Sequence, residues 1–114
     1  MKRLDPRRAA EQAVSANPTR PATALIHDSD DARLVVFRIE PGQAVAPHRS
    51  PATVVLTVLE GAALISGEAD AETAALRCAA GDMVTFGPNE LHGMRADDER
   101  ALLLATITPR PGTR

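Results

Sequence analysis

Few side chains in this sequence titrate near neutral pH or offer an imidazole or thiolate to a metal: the three histidines His27, His48 and His92, and the single cysteine Cys78. A neutral imidazole titrates near physiological pH and keeps one ring nitrogen as a lone-pair donor, so it serves equally as acid, base or ligand. His48 sits in Pro47-His48-Arg49-Ser50-Pro51, an irregular segment bracketed by prolines, and His92 follows the turn sequence Gly87-Pro88-Asn89. Ser50 adds a hydroxyl two positions from His48. Glu60 and Glu90 fall in turns and read as solvent-facing, so no carboxylate is placed by spacing beside either histidine to complete an acid–base dyad. His27 reads as a strand or turn residue, and Cys78 as a small core residue.

The elements that must position these residues are short β-prone runs separated by turn residues. Thr23–His27 and Ala32–Ile39 flank the polar cluster Asp28-Ser29-Asp30-Asp31, which predicts a hairpin turn. Further strands are expected over Thr53–Leu59, Ala62–Gly67, Ala74–Cys78, Met83–Phe86, His92–Arg95 and Ala101–Thr108, with Asp97-Asp98-Glu99 as a hairpin turn before the last. If the strand runs unbroken from His48, alternation puts His48, Ser50, Val54 and Leu56 on one face. Before the strands, Asp5-Pro6 opens either a short helix, with Asp5 as N-cap and Pro6 at its first position, or a mobile tail. The expected organisation is therefore a tail or helix over 1–20, one β domain over 21–110 and a tail over 111–114. Strands apolar on both faces, such as Ala101–Ile107, point to cover from a second subunit and hence to a homodimer.

Composition narrows the function. At 114 residues the chain holds one domain, with 44% hydrophobic and 25% charged residues. A net charge of −2 gives no basic footprint for nucleic acid. Trp and Tyr are absent and Phe37 and Phe86 are the only aromatic rings of that class, so a base-stacking platform cannot be built. No apolar run has the length of a membrane span or a secretory leader, and one cysteine makes no internal disulfide, so the expected compartment is the cytoplasm.

Two motifs carry a resemblance. Gly42 to His48, with Gly61 after Leu59-Glu60, resembles the first cupin motif G-x5-H-x-H-x3-4-E-x6-G. Gly81 to His92 resembles the second, G-x5-P-x-G-x2-H-x3-N, with the proline displaced to Pro88, Asn89 at the glycine position and Ala96 at the asparagine position. Asn89 tolerates the positive φ required there. The resemblance covers about residues 32–108 and implies an all-β, cupin-type barrel, a double-stranded β-helix of jelly-roll kind. It also implies a metal site, but one with departures: Ser50 stands at the second histidine position and Val54 at the glutamate position. Only His48 and His92 remain as metal ligands, so a divalent metal is not favoured as cofactor.

The motif spacing then gives a ligand pocket of His48, Ser50, Val54, Leu56, Val84, Phe86 and His92, apolar inside with polar groups at the mouth. The expected function is small-molecule binding, sensory or regulatory in character. The alternative is a metal-dependent oxygenase or isomerase using a weak His48/His92 site.

Overall fold

The structure, a computed structural model, describes residues 1–67 and 75–109. Ala74, the expected start of one strand, and the tail 111–114 lie outside the described residues.

The chain opens with helix α1 (Pro6–Gln12) and continues through β1 (Ala22–Asp28), β2 (Arg33–Ile39), β3 (Ala44–His48), β4 (Thr53–Glu60), β5 (Ala62–Ser66), β6 (Leu76–Ala79), β7 (Met83–Phe86), β8 (His92–Ala96) and β9 (Ala101–Thr108). The strands form two antiparallel sheets, one ordered β1-β2-β9-β4-β7 and the other β3-β8-β5-β6. This is the mostly-β, double-stranded β-helix architecture that the motifs imply.

The short helix forms because its start is well capped. The Asp5 carboxylate accepts from the Arg8 N–H at 3.1 Å, and Pro6 occupies the first turn, where a missing N–H costs nothing. The expected hairpin at Asp28–Asp31 joins β1 to β2, with the Ser29 N–H donating to the Ala32 carbonyl at 3.0 Å. Asn89 has φ of 63°, the left-handed conformation expected of it. Gly61, between β4 and β5, has φ of +73° and would place a Cβ only 2.1 Å from the Arg100 carbonyl oxygen, so the tight crossing there admits no side chain.

Two expectations about the strands change. The strand through His48 is not continuous: β3 ends at His48 in the four-stranded sheet, and β4 starts at Thr53 in the five-stranded one. Pro47 and Pro51 withhold two N–H groups from any ladder, which favours a break between them. Asp97-Asp98-Glu99 is not a hairpin turn, because β8 pairs with β3 and β5 while β9 pairs with β2 and β4, so these residues carry the chain between sheets. Arg77 holds Asp97 there at 3.0 Å.

Finally, α1 supplies cover that the two-sided apolar strands call for. Ala10 is fully buried against Val36 and Leu102 on the outer face of the five-stranded sheet, with Ala24, Ile26, Leu59 and Leu104 around them. Arg38 donates to the carbonyls of Ala10 and Glu11 at 3.2 and 2.6 Å, satisfying groups at the helix end. Arg100 joins the cluster by pairing with Glu11 and Glu60, and Arg7 pairs with Glu60 at 3.4 Å. This part of the face is therefore covered from within the chain.

The main core lies between the sheets. Ile39, Ile65 and Leu103 are essentially inaccessible, and burying each such side chain contributes about 1.5–3 kcal/mol.

Candidate functional site

The core does not fill the whole space between the sheets. A cavity of about 310 Å³ opens between them, near the lower limit of small-molecule sites. The five-stranded sheet contributes Phe37, Val54, Leu56, Ala105 and Ile107 to its wall, and the four-stranded sheet Val45, His48, His92, Gly93 and Met94. The break between β3 and β4 closes one side with Arg49, Ser50 and Pro51. Alternation explains the wall: Val54 and Leu56 on β4, Ala105 and Ile107 on β9, and His92 and Met94 on β8 are each two residues apart and share the inner face.

Strand pairing brings the two histidines together. His48 and His92 are directly opposite partners of the β3–β8 ladder, next to an irregularity between Val45 and His48. Their ring centroids are 4.3 Å apart, tilted by 58°. Gly93 allows this close approach: a Cβ there would meet Pro47 Cα, Pro47 N and the Val45 carbonyl oxygen, each at 3.1 Å. Phe86 stacks behind His92 with centroids 4.9 Å apart, fixing the ring plane.

The hydrogen bonds fix the chemistry of each ring. His48 Nδ1 lies 3.0 Å from the Ala46 carbonyl oxygen, and His92 Nδ1 lies 3.1 Å from that of Glu90. A carbonyl only accepts, so both Nδ1 atoms carry hydrogen, and the lone pair of each neutral ring sits on Nε2. His48 is exposed at the mouth, while His92 is buried. Burial holds the His92 pKa below its ordinary value; the hydrogen bond to the Glu90 carbonyl opposes the shift, and the neighbouring His48 adds to it. At neutral pH His92 is therefore an uncharged acceptor. The Ser50 hydroxyl oxygen accepts from the Ala52 N–H at 3.2 Å, which leaves its hydrogen to donate.

Five of the seven residues expected to line a pocket, His48, Ser50, Val54, Leu56 and His92, line this cavity. Val84 and Phe86 do not, although they face the core side by side with Leu56 and Val54. They belong to β7, the edge strand on the far side of β4 from β9, so Val84 packs on the core and Phe86 backs His92 instead of facing open space. Sequence reasoning passed over Arg49 and Met94. Met94 was findable by parity, two residues after His92 on a strand. Arg49 was not, because it lies in the break between strands, where alternation fails; its Nη1 donates to the Asn89 carbonyl at 2.8 Å.

The donor set does not fit a resident divalent metal. It offers two neutral imidazoles and a hydroxyl, and among the described residues no three His, Cys, Asp or Glu side chains converge. Glu90, near His92 in sequence, has its Oε1 engaged by the Gly87 N–H at 3.0 Å. His27 contacts Ser29 at the end of β1, and Cys78 is buried in the core with its thiol pKa raised by burial and by Asp82. Neither lines the cavity. Among the described residues no helix is long and apolar enough to cross a membrane.

Comparison with known proteins agrees with the geometry. The sequence profile described as Cupin domain matches residues 35–108. No curated protein matches the chain. Among solved structures, TT1209 from Thermus thermophilus superposes with a TM-score of 0.82 at 25% identity, covering 97% of this chain and 100% of its own. An RmlC-like cupin protein from Desulfovibrio desulfuricans gives a TM-score of 0.73 at 27% identity, covering 86% of this chain and 91% of its own. KdgF from Halomonas sp. gives 0.75 at 19% identity, covering 87% and 88%, a likeness of fold alone.

Proposed function

The chain belongs to the cupin domain family, and from that premise we propose that it is a small-molecule-binding protein whose ligand occupies the cavity between the sheets. The observation that carries this reading is the cavity itself: about 310 Å³ of mainly apolar space with the paired imidazoles of His48 and His92, and with Ser50 and Arg49, among its lining residues. Enclosed apolar walls with a few convergent polar groups are the usual construction of a ligand site. The matching ligand is small, with an apolar body lying against Phe37, Leu56 and Ile107 and one polar group toward His48 and His92. His92, an uncharged acceptor at neutral pH, favours a ligand whose polar group donates a hydrogen bond.

A sensory or regulatory role suits this arrangement better than catalysis. A metal-dependent oxygenase or isomerase needs a third ligand, and a metal-free acid–base enzyme needs a carboxylate partner for one imidazole. Among the described residues no three such ligands converge, and both Nδ1 atoms bond to backbone carbonyls instead of to a carboxylate, the Glu90 carboxylate acting on His92 only through its charge. The test is to release small molecules from the purified protein by denaturation and identify them by mass spectrometry, alongside the variant Ala105→Leu, which fills the cavity. An apolar compound retained by the native protein and lost from Ala105→Leu supports the reading. Equal retention by both contradicts it.

A further inference from the structure

The edges of the two sheets are not equally protected. Among the described strands, the edge strands β3, β6 and β7 run for 5, 4 and 4 residues, and β3 contains Pro47. The edge strand β1 runs for 7 residues and contains no proline, glycine or lysine. Short edges and prolines discourage pairing with another chain, whereas a long edge of ordinary residues invites it. β1 also carries an exposed apolar side chain, Leu25, which is 55% accessible. Cross-strand partners share a face, so Leu25 ends a row that starts on the cavity wall at Leu56 and Ala105 and passes through Val35. That row is buried at Leu56 and Ala105 and open at Leu25.

We propose that β1 is the seat of a second copy of this chain: two β1 strands pair antiparallel across a twofold axis at Leu25, joining the five-stranded sheets of both copies into one. A twofold contact requires a surface complementary to itself, and the sequence around Leu25 has that property. The pairing sets Leu25 against the partner's Leu25 on the inner face, and Ala24 against the partner's Ile26 on the outer face. Arg20 and Asp30 lie two residues beyond either end of β1, so each Arg20 meets the partner's Asp30 and no like charges are opposed. Asp30 is engaged within its own chain as well. The irregularity between Leu25 and His27 falls just past the axis, where a bulge bends a strand without ending it. The exposed end of the apolar row is thereby covered, and the unpaired backbone groups of β1 find partners. This contact concerns the rim of the sheet and does not depend on what occupies the cavity.

The experiment is sedimentation equilibrium of the full chain at micromolar concentration, where a dimer is expected. Leu25→Lys sets two charges against each other at the axis and is expected to give a monomer with an unchanged circular dichroism spectrum. Met83→Lys, at an exposed residue on the edge strand β7, is expected to leave the dimer intact. Arg20→Glu is expected to weaken the dimer about threefold or more, and adding Asp30→Lys to it to restore the dimer. In a Cys78→Ala background, Leu25→Cys is expected to form a disulfide between copies on mild oxidation. Thr23→Cys is not, because that register separates the two Thr23 positions by about 14 Å, beyond disulfide reach. A monomer in the native chain, which would leave the edge to a strand of a different protein, overturns the proposal. So does a dimer that Leu25→Lys leaves intact, or equal cross-linking in the Leu25→Cys and Thr23→Cys variants.

Discussion

The five-stranded sheet is apolar on both faces, yet the two faces are finished differently. On the outer face, α1 lies flat and presents Ala10, a residue small enough for the helix to approach Val36 and Leu102 with no space left. Charged groups then close the margin, with Arg38 on the helix carbonyls and Arg100 between Glu11 and Glu60. On the inner face, Ala105 has the same small side chain, but what stands across from it is a cavity of about 310 Å³ lined by both His48 and His92. One alanine closes a contact and the other opens a space. Residue type alone says nothing about which; the partner layer decides.

The largest break in this comparison comes from the closed face. Leu102→Ala removes a fully buried side chain under α1 and is expected to cost about 2–5 kcal/mol by urea unfolding. A pair of enlargements sharpens the contrast. Ala10→Leu overpacks the helix seat and should cost about 1–3 kcal/mol, while Ala105→Leu enters open space and should cost less than about 1 kcal/mol. Equal costs would mean that the two faces do not differ as described.

Acid should act on the open face through His92. Its pKa is lowered in the folded state by burial, so the unfolded chain binds the proton more readily. Its contribution to stability is complete above the unfolded value of about 6.5 and is lost as pH falls through that value toward the lower folded one. Unfolding midpoints should therefore drop between pH 7 and 5, and His92→Gln should flatten that part of the profile. The smallest effect belongs to the charged margin of α1. Arg100→Ala removes partly exposed ion pairs to Glu11 and Glu60 and should cost no more than about 1 kcal/mol, with the difference shrinking in high salt.

Much of the fold was legible because period-2 patterning and turn residues agree. Met83–Phe86 and Ala101–Thr108 have the boundaries that alternation assigns them, and the hairpin at Asp28–Asp31 follows from its polar composition. The strand β3 was obscured by Pro41, Gly42 and Pro47, which argue against regular pairing although Val45 and His48 still join the ladder. For the site, the histidine pair was implied by the resemblance of the segments Gly42–His48 and Gly81–His92 to the two cupin motifs. It could not place Val84 and Phe86 off the cavity wall, since that depends on which strand lies across the barrel and not on which face a residue takes. Arg49 was equally hidden, because no periodicity governs the break between β3 and β4.

Small-molecule binding in the cavity between the sheets is the central proposal for this protein. Its most direct test is a nuclear magnetic resonance titration with a library of small, mainly apolar fragments, following the backbone amides of the protein. Binding is predicted to move the signals of Gly93, Met94, Ala105 and Ile107 together, and Ala105→Leu is predicted to abolish the shifts while the protein stays folded. Fragments that leave those four amides unmoved, or that bind Ala105→Leu as well as the native chain, would contradict it.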